Sequence, residues 1–498
     1  MVVKFDFVGK VFSSGKGREK IAFVVFTFFL LLFVLLFSNW SYDDPYITYR
    51  YALNLASGKG FVYNLHQKTL STTTPFFAVL LSFFEILNWI SIPRMAIILG
   101  CISLSLSSYI LWKINNRVET YLLGWVSLLL FSTFPLPATT ISSETPLYIL
   151  IGLLTVFFYL EQKWSLAALT SAFLVLTRPD GILLPFLIAI REIYLNKGTP
   201  SSLLVKKYMM PVGLFLLISL ISWGALWIYF GSPVPVTLFA KQQQGVMYIS
   251  QQFLGGFLRL LRGYARQPYF LLESMFSLLG LIYLIRSRHP ALLIVSWNVI
   301  YFCAYTIIRV SRYYWYYAPL VPGFIVLVGG GFQALWDFSI SLRGELTRNI
   351  FRISLIGALV FCFVGQSLLL HKSSKSTDRR IPIYRQVGLW LKAYTPADAK
   401  VGALEVGVIG FYSQRFMIDF AGLVEPDVAA YMTKSTTYED TARYAIAQYQ
   451  PDYVVLHQGV FQNLENELMI NCQKEKIFKG KNFDVDYNMI ILQCNWNK

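Results

Sequence analysis

The chain predicts an α-helical polytopic membrane protein of about eleven transmembrane helices, with a small α/β domain at its C-terminal end. Three observations carry that prediction. Hydrophobic residues make up 55% of the 498 and charged residues only 14%, a balance foreign to a water-soluble protein of this size. Apolar runs recur as far as residue 370, joined by short connections that hold many of the Lys and Arg residues. From His371 the chain turns polar and alternates helix-like with strand-like patterning. The expected division is a transmembrane unit, 1–370, followed by a domain, 371–498.

The first span is expected over Ile21 to Trp40, behind a basic flank of Lys4, Lys10, Lys16, Arg18 and Lys20. The run is too long for a cleaved signal, and no small-residue cleavage site follows it. Residues 41–94 form the first external loop. In "DDPYITYRYALNLASGKG", Asp44 can cap a helix, Pro45 suits its first position and Gly58 can end it. Ile47, Tyr51 and Leu55 would share one face and Tyr46, Arg50 and Asn54 a neighbouring one, as in an amphipathic helix at the membrane surface. The apolar stretch Pro75 to Ile90 is short and broken by Glu85, so it is read as a second surface or re-entrant helix.

Further spans follow near 95–112, 121–135, 145–160, 164–177, 181–194, 208–230, 269–285, 290–308, 316–333 and 351–370. On that parity Lys113/Arg117, Lys163, Arg191/Lys197/Lys206/Lys207, Arg286/Arg288 and Arg343/Arg348 all face the cytoplasm, as the positive-inside rule prefers. The same scatter absorbs the net charge of +16 and argues against nucleic acid as a partner, which would need bases gathered on one face.

In the terminal region "YRQVGLWLKAY" and "YEDTARYAIAQY" read as helices, and "KVGALEV", "FMIDFAG", "DYVVLHQ" and "YNMIILQC" as strands. Gly407 and Gly410 in "EVGVIGFYS" lack the third glycine of a dinucleotide loop and are read as packing residues. Cys101, Cys303 and Cys362 fall in spans. Cys472 and Cys494 lie in the polar region, where a disulfide can form if that region is outside the cytosol.

The outward loops then collect Asp43, Asp44, Arg50, Lys59, Lys68, Glu144, Arg178, Asp180, Lys241, Arg259, Arg262, Arg266, Arg309 and Arg312 on one side of the membrane. Ionisable groups at a bilayer boundary are costly to desolvate and mark function by default. Asp43 lies one residue too early to be the obvious helix cap, so it is the candidate to take a proton from an attacking hydroxyl. Asp44 beside it is a candidate for either role, a second catalytic carboxylate or a helix cap. Lys241, Arg259, Arg262, Arg309 and Arg312 are candidates to hold a phosphate and steady it as it leaves. One carboxylate with a phosphate clamp suits glycosyl transfer from a lipid phosphate better than glycoside hydrolysis, which normally needs two carboxylates at a set separation. His66, His289, His371 and His457 show no metal-ligand spacing and no nucleophile elbow occurs, which leaves Asp43, Asp44 and Glu144 as the candidates for a divalent metal.

The form "DD-x-x-I-x-x-R-x-x-x-N-L-x-x-G-x-G-x-V-x-N" after an apolar first span resembles the first external loop of C-type integral-membrane glycosyltransferases, which use polyprenyl-phosphate sugars. It is nearest their bacterial arabinofuranosyltransferase-like and protein O-mannosyltransferase-like branch. "SSETPLYIL", "LTRPDGILL", "FGSPVPVTLFAK", "RYYWYYAPLVP" and "GVIGFYSQRFMIDFAGL" add similarity along the chain. The resemblance implies that Asp43 matches the catalytic aspartate and Asp44 its acidic neighbour. It makes Arg50, Asn54, Asn64, Glu144, Arg178 and Asp180 candidates for acceptor or sugar binding. Ser142-Ser143 stand where the family has Gly-Met, and "STTTP" replaces its Gly-x-Thr-Asn-Pro form. Implied too are a polyprenyl-phosphate sugar as donor, a glycan, lipid or protein acceptor, and a bacterial inner-membrane location with the active site and terminal domain outside. A lipid-linked saccharide flippase is the first rival, but it would tend to carry its polar residues at mid-membrane. A non-catalytic envelope-assembly protein is the second.

Overall fold

The computed structural model describes residues 15–496, so Lys4 and Lys10 of the basic flank lie outside the described residues. Each expected span coincides with a helix. These are Gly15–Phe37, Ile92–Arg117, Tyr121–Thr133, Thr145–Leu160, Trp164–Thr177, Leu183–Leu195, Ser201–Phe230, Pro268–Arg286, Leu292–Ile308, Val321–Ser339 and Glu345–Ser374. Among the described residues six helices are long and apolar enough to cross a membrane. The outward face of Ser201–Phe230 leaves Leu217, Leu220, Ile221 and Ile228 exposed, a band suited to lipid. Close approach inside the bundle rests on small residues. A Cβ on Gly280 would stand 1.7 Å from the carbonyl oxygen of Leu327, so only glycine lets Pro268–Arg286 lie against Val321–Ser339.

The two ends of the bundle differ in what they gather. At one end Glu19 pairs with Lys113 (3.1 Å), Glu161 with Arg117 and Lys163, and Glu192 with Lys207. At the other lie the first loop, Glu144, Arg178, Lys241 and the terminal domain. In the first loop Pro45–Ala56 and Pro75–Ile86 pack on each other as short helices, each with proline in its first turn.

The last membrane helix runs on to Ser374, past the expected boundary at 370, because His371 and Lys372 are helix-compatible and suit the negative end of the macrodipole. Beyond it stands a five-stranded sheet, β1 Lys400–Ala403, β2 Phe416–Asp419, β3 Tyr453–His457, β4 Cys472–Phe478 and β5 Met489–Cys494, in the order β2-β1-β3-β5-β4. The β1 strand runs parallel to β2 and β3, and β5 antiparallel to β3 and β4. A disulfide joins Cys472 to Cys494, which face each other across β4 and β5. Alternation sorts the side chains. Val401, Met417, Val455 and Ile491 share one buried core with Tyr46, Ile47 and Tyr49 of the first loop, whereas Ile418, Val454, Ile490 and Leu492 pack a second core on the other face. The terminal domain is thereby welded to the first loop by apolar burial.

Candidate active site

A cavity of about 360 Å³ lies between the first loop and the membrane helices. Its polar lining holds Asp44, Glu144, Arg178, Asp180 and Lys241, and its apolar lining includes Ile182, Trp223 and Ile308. Those three side chains are also exposed on the outside of the bundle, so the cavity connects buried charge to the apolar outer surface.

Asp44 occupies the N-cap position of Pro45–Ala56, but its carboxylate caps nothing, which corrects the expectation that it serves as a cap. It accepts instead a 2.8 Å hydrogen bond from Lys241 Nζ, which comes from the helix Val236–Val246. Lys241 is 7% exposed, and its ammonium lies 4.7, 5.3 and 5.5 Å from the ring centres of Tyr313, Trp315 and Tyr316. Burial, the largest single influence, would lower the pKa of this amine; the charge and hydrogen bond of Asp44 together with Tyr316 and Tyr313 outweigh it, and the pKa is raised, so Lys241 stays a cation.

Arg178 ends the helix Trp164–Thr177 in extended backbone, the conformation that a following proline favours. Its guanidinium donates to both carboxylate oxygens of Asp180 (3.2 and 2.9 Å), to Glu144 Oε1 (3.4 Å) and to the hydroxyl of Tyr305 (2.6 Å). Tyr305 in turn donates to Asp180 (2.6 Å). Burial raises the pKa of Glu144, with Arg178 acting against the shift.

Asp43 faces elsewhere and is not among the cavity-lining residues. Its carboxylate reaches the terminal domain, where Oδ1 accepts the N–H of Val408 (2.8 Å) and Oδ2 that of Gly407 (3.1 Å), at the start of the helix Val406–Ser413. Gly407 must be glycine for this approach, since a Cβ there would lie 2.0 Å from the Asp43 carbonyl oxygen and 2.7 Å from its carboxylate carbon. Crowding by protein pushes the Asp43 carboxyl up to about 7; the Val408 amide opposes the shift and the charges of Glu405 and Asp44 add to it. Burial likewise brings Glu405, Asp419 and Glu425 to about 7, and lowers His457 to about 4.

The other candidates divide. Arg50, Asn54 and Asn64, candidates for sugar or acceptor binding, do not line the cavity, and each hydrogen-bonds to backbone groups. Arg50 donates to the carbonyls of Gly410 (3.1 Å) and Arg415, and Asn54 to those of Val62 (2.8 Å) and Tyr63 (3.1 Å). Asn64 makes a two-way bridge to Met417 of β2 (2.8 and 2.9 Å). Of the five bases expected to clamp phosphate, Lys241 alone lines the cavity. Arg259 and Arg312 border a separate open hollow with Leu136, Tyr264 and Tyr314, and Arg312 donates to Gln251 (2.8 Å). Arg262 and Arg309 are solvent-exposed, and Arg309 ends Leu292–Ile308 in the left-handed region (φ 57°). The carboxylates considered for a divalent ion do not converge, because Asp43 is held by backbone amides, Asp44 by Lys241 and Glu144 by Arg178. Sequence reasoning missed the role of Tyr313, Trp315 and Tyr316. Its signal was the aromatic run after Arg312, a ready cation cage.

Residues 375–491 match a family described as Domain of unknown function (DUF8728). No curated protein matches the sequence. Among solved structures, ArnT from Cupriavidus metallidurans bound to undecaprenyl phosphate is similar over 97% of this chain and 99% of its own, with a TM-score of 0.61 at 12% identity. The archaeal oligosaccharyltransferase AglB from Archaeoglobus fulgidus, in complex with an inhibitory peptide and a dolichol-phosphate, is similar over 97% of this chain and 75% of its own (TM-score 0.59, 11% identity). An Archaeoglobus fulgidus oligosaccharyltransferase in complex with Zn and sulfate matches 87% of this chain and 68% of its own (TM-score 0.59, 13% identity). The fold is that of the C-type glycosyltransferases.

Proposed function

We propose that this protein transfers a hexosyl or pentosyl unit from a polyprenyl phosphate to an acceptor hydroxyl on the extracytoplasmic side of a bacterial inner membrane. One observation carries the proposal: the cavity joins the apolar exterior of the bundle to the buried cations Lys241 and Arg178. A prenyl chain lying against Ile182, Trp223 and Ile308 brings its phosphate to Lys241, whose pairing with Asp44 is a hydrogen bond that an incoming anion can share. The undecaprenyl phosphate on ArnT and the dolichol-phosphate on AglB, both of this fold, support a lipid phosphate as donor.

In the reaction the bond between the anomeric carbon and the phosphate oxygen breaks as the acceptor oxygen bonds to that carbon, with inversion. The electron pair leaves with the lipid phosphate, steadied by Lys241. The acceptor's proton passes to the carboxylate of Asp43, whose pKa of about 7 suits a general base near neutral pH. Glu405 and Arg380 flank Asp43 at the seam with the terminal domain, the side from which the acceptor arrives. Purified full-length protein given a defined undecaprenyl-phosphate sugar should bind it and, with acceptor, release undecaprenyl phosphate. Lipid extracts of cells lacking the protein should accumulate a polyprenyl-phosphate sugar. A protein that binds the lipid while no such sugar accumulates in its absence would sink the transferase reading.

A further inference from the structure

Beside the charged pair of the cavity stands a wall of hydroxyls that neither the fold nor the phosphate requires. Thr48, Thr72 and Thr74 join their side-chain oxygens in a triangle with edges of 3.0, 3.2 and 3.2 Å. All three line the cavity while 8%, 1% and 2% exposed. Thr74 occupies the N-cap of Pro75–Ile86, where a threonine ordinarily turns its oxygen to the helix amides, yet here it makes no cap bond. Ser71 and Thr237 line the same cavity, 2% and 3% exposed, and neither hydroxyl has a hydrogen-bond partner. A buried hydroxyl without a partner is costly, so two in one cavity indicate a ligand that supplies the missing bonds.

The placement says which part of a ligand. Thr237 lies four residues before Lys241 on one helix and Thr48 four after Asp44 on another, so each shares a face with one member of the charged pair. The amide of Val236 bonds to the carbonyl of Leu70 (2.9 Å), fastening the two walls side by side. With phosphate on Lys241, the group within a bond or two of it meets these hydroxyls. With one donor and one acceptor spent on each neighbour pair, and the Thr74 amide also donating to Thr72 (3.2 Å), Thr48 and Thr74 keep acceptor capacity, which suits a ligand that offers several hydroxyls. Charge narrows the class further. The cavity is lined by Asp44, Glu144 and Asp180 against Lys241 and Arg178, three acids to two bases, and a bound phosphate adds further negative charge.

Building on the transferase reading, we propose that Thr48, Ser71, Thr72, Thr74 and Thr237 form the subsite for the donor's glycosyl unit, and that this unit is polyhydroxylated and carries no carboxylate. The test measures equilibrium binding by the purified full-length protein in nanodiscs of undecaprenyl phosphate and its glucosyl, arabinosyl and galacturonosyl forms. A neutral sugar lipid should bind wild type at least about tenfold more tightly than the bare lipid, and the galacturonosyl lipid more weakly than either neutral one. A variant carrying both Ser71→Ala and Thr237→Val should lose that advantage and still hold the bare lipid. Neither hydroxyl has a protein partner, so folding should tolerate the change, and Thr237→Ser should keep the advantage. The subsite is overturned alone if the bare lipid binds but no sugar adds affinity, if the double variant keeps the advantage, or if the galacturonosyl form binds best. Wild type that holds none of the four lipids would overturn the donor reading, and the subsite with it.

Discussion

The floor of the cavity and the seam with the terminal domain lie one residue apart in sequence, at Asp44 and Asp43, yet they hold their acids by opposite means. On the floor, carboxylates meet side-chain cations, Asp44 with Lys241 and Asp180 and Glu144 with Arg178. In the seam, carboxylates meet backbone amides, Asp43 with those of Gly407 and Val408, and Asp419 with those of Ala421, Leu423 and Val424. A side-chain cation can rotate and share its bond, so the charges of the floor can be re-paired. An amide is fixed by the chain, so the seam orients its acids, and burial, which the amides only partly offset, keeps their pKa values raised.

Asp43→Asn should separate the two regions most strongly. Turnover should fall by about a hundredfold or more, the scale of general-base loss, while affinity for undecaprenyl phosphate stays near wild type. A collapse of turnover in Asp44→Asn with little change in Asp43→Asn would reverse the two roles and move the chemistry to the floor.

Lys241→Ala should act next most strongly, weakening undecaprenyl phosphate binding by about 1.5–3 kcal/mol as a charged hydrogen bond is lost. Arg259→Ala and Arg262→Ala should leave that affinity within about a factor of two, since surface charges away from the contact contribute little. Equal losses at all three positions would mean that the phosphate is held by diffuse charge and not at the floor.

Acid and base should separate the regions more gently. Turnover should rise with pH through about 7 as Asp43 loses its proton, and that limb should vanish in Asp43→Asn. Stability of the docked terminal domain should move the other way. Asp43, Glu405, Asp419 and Glu425 bind protons more tightly folded than unfolded, so their contribution is full below the ordinary carboxylate range and is lost as pH rises through about 7. Hydrogen exchange in Val406–Ser413, followed from pH 5 to 8, should show weaker protection at the higher end after correction for the intrinsic rate. Protection that climbs instead would show these acids to be charged and paired.

How much of this was legible in sequence depended on range. The membrane helices and four of the strands announce themselves by local periodicity. The β4 strand, "CQKEKIF", did not, because it is a lysine-bearing edge strand whose side chains face solvent over most of its length. The adjacent aspartates stood out, but what each one touches is set by contacts 197 and 365 residues away, which local spacing does not encode. That is why Asp44 was read as a cap, and why Arg259 and Arg262, the polar face of a surface helix, were grouped with Lys241. The "STTTP" run was noticed as a departure from a motif, and only the folded chain shows its hydroxyls turned inward.

The glycine-bounded grip on Asp43 has a bearing on biogenesis. The amides that aim this carboxylate are made long after the aspartate itself has left the ribosome, and they reach it only once the whole membrane bundle has been threaded and the terminal domain folded. A chain cut at residue 375 would keep the Asp44–Lys241 pair and Arg178 but lose Leu423 of the cavity lining and the Gly407 and Val408 amides that hold Asp43. Completion of the site therefore waits on the last part of the chain to be made: Asp43 gains its amide partners only when the terminal domain has folded against the first loop.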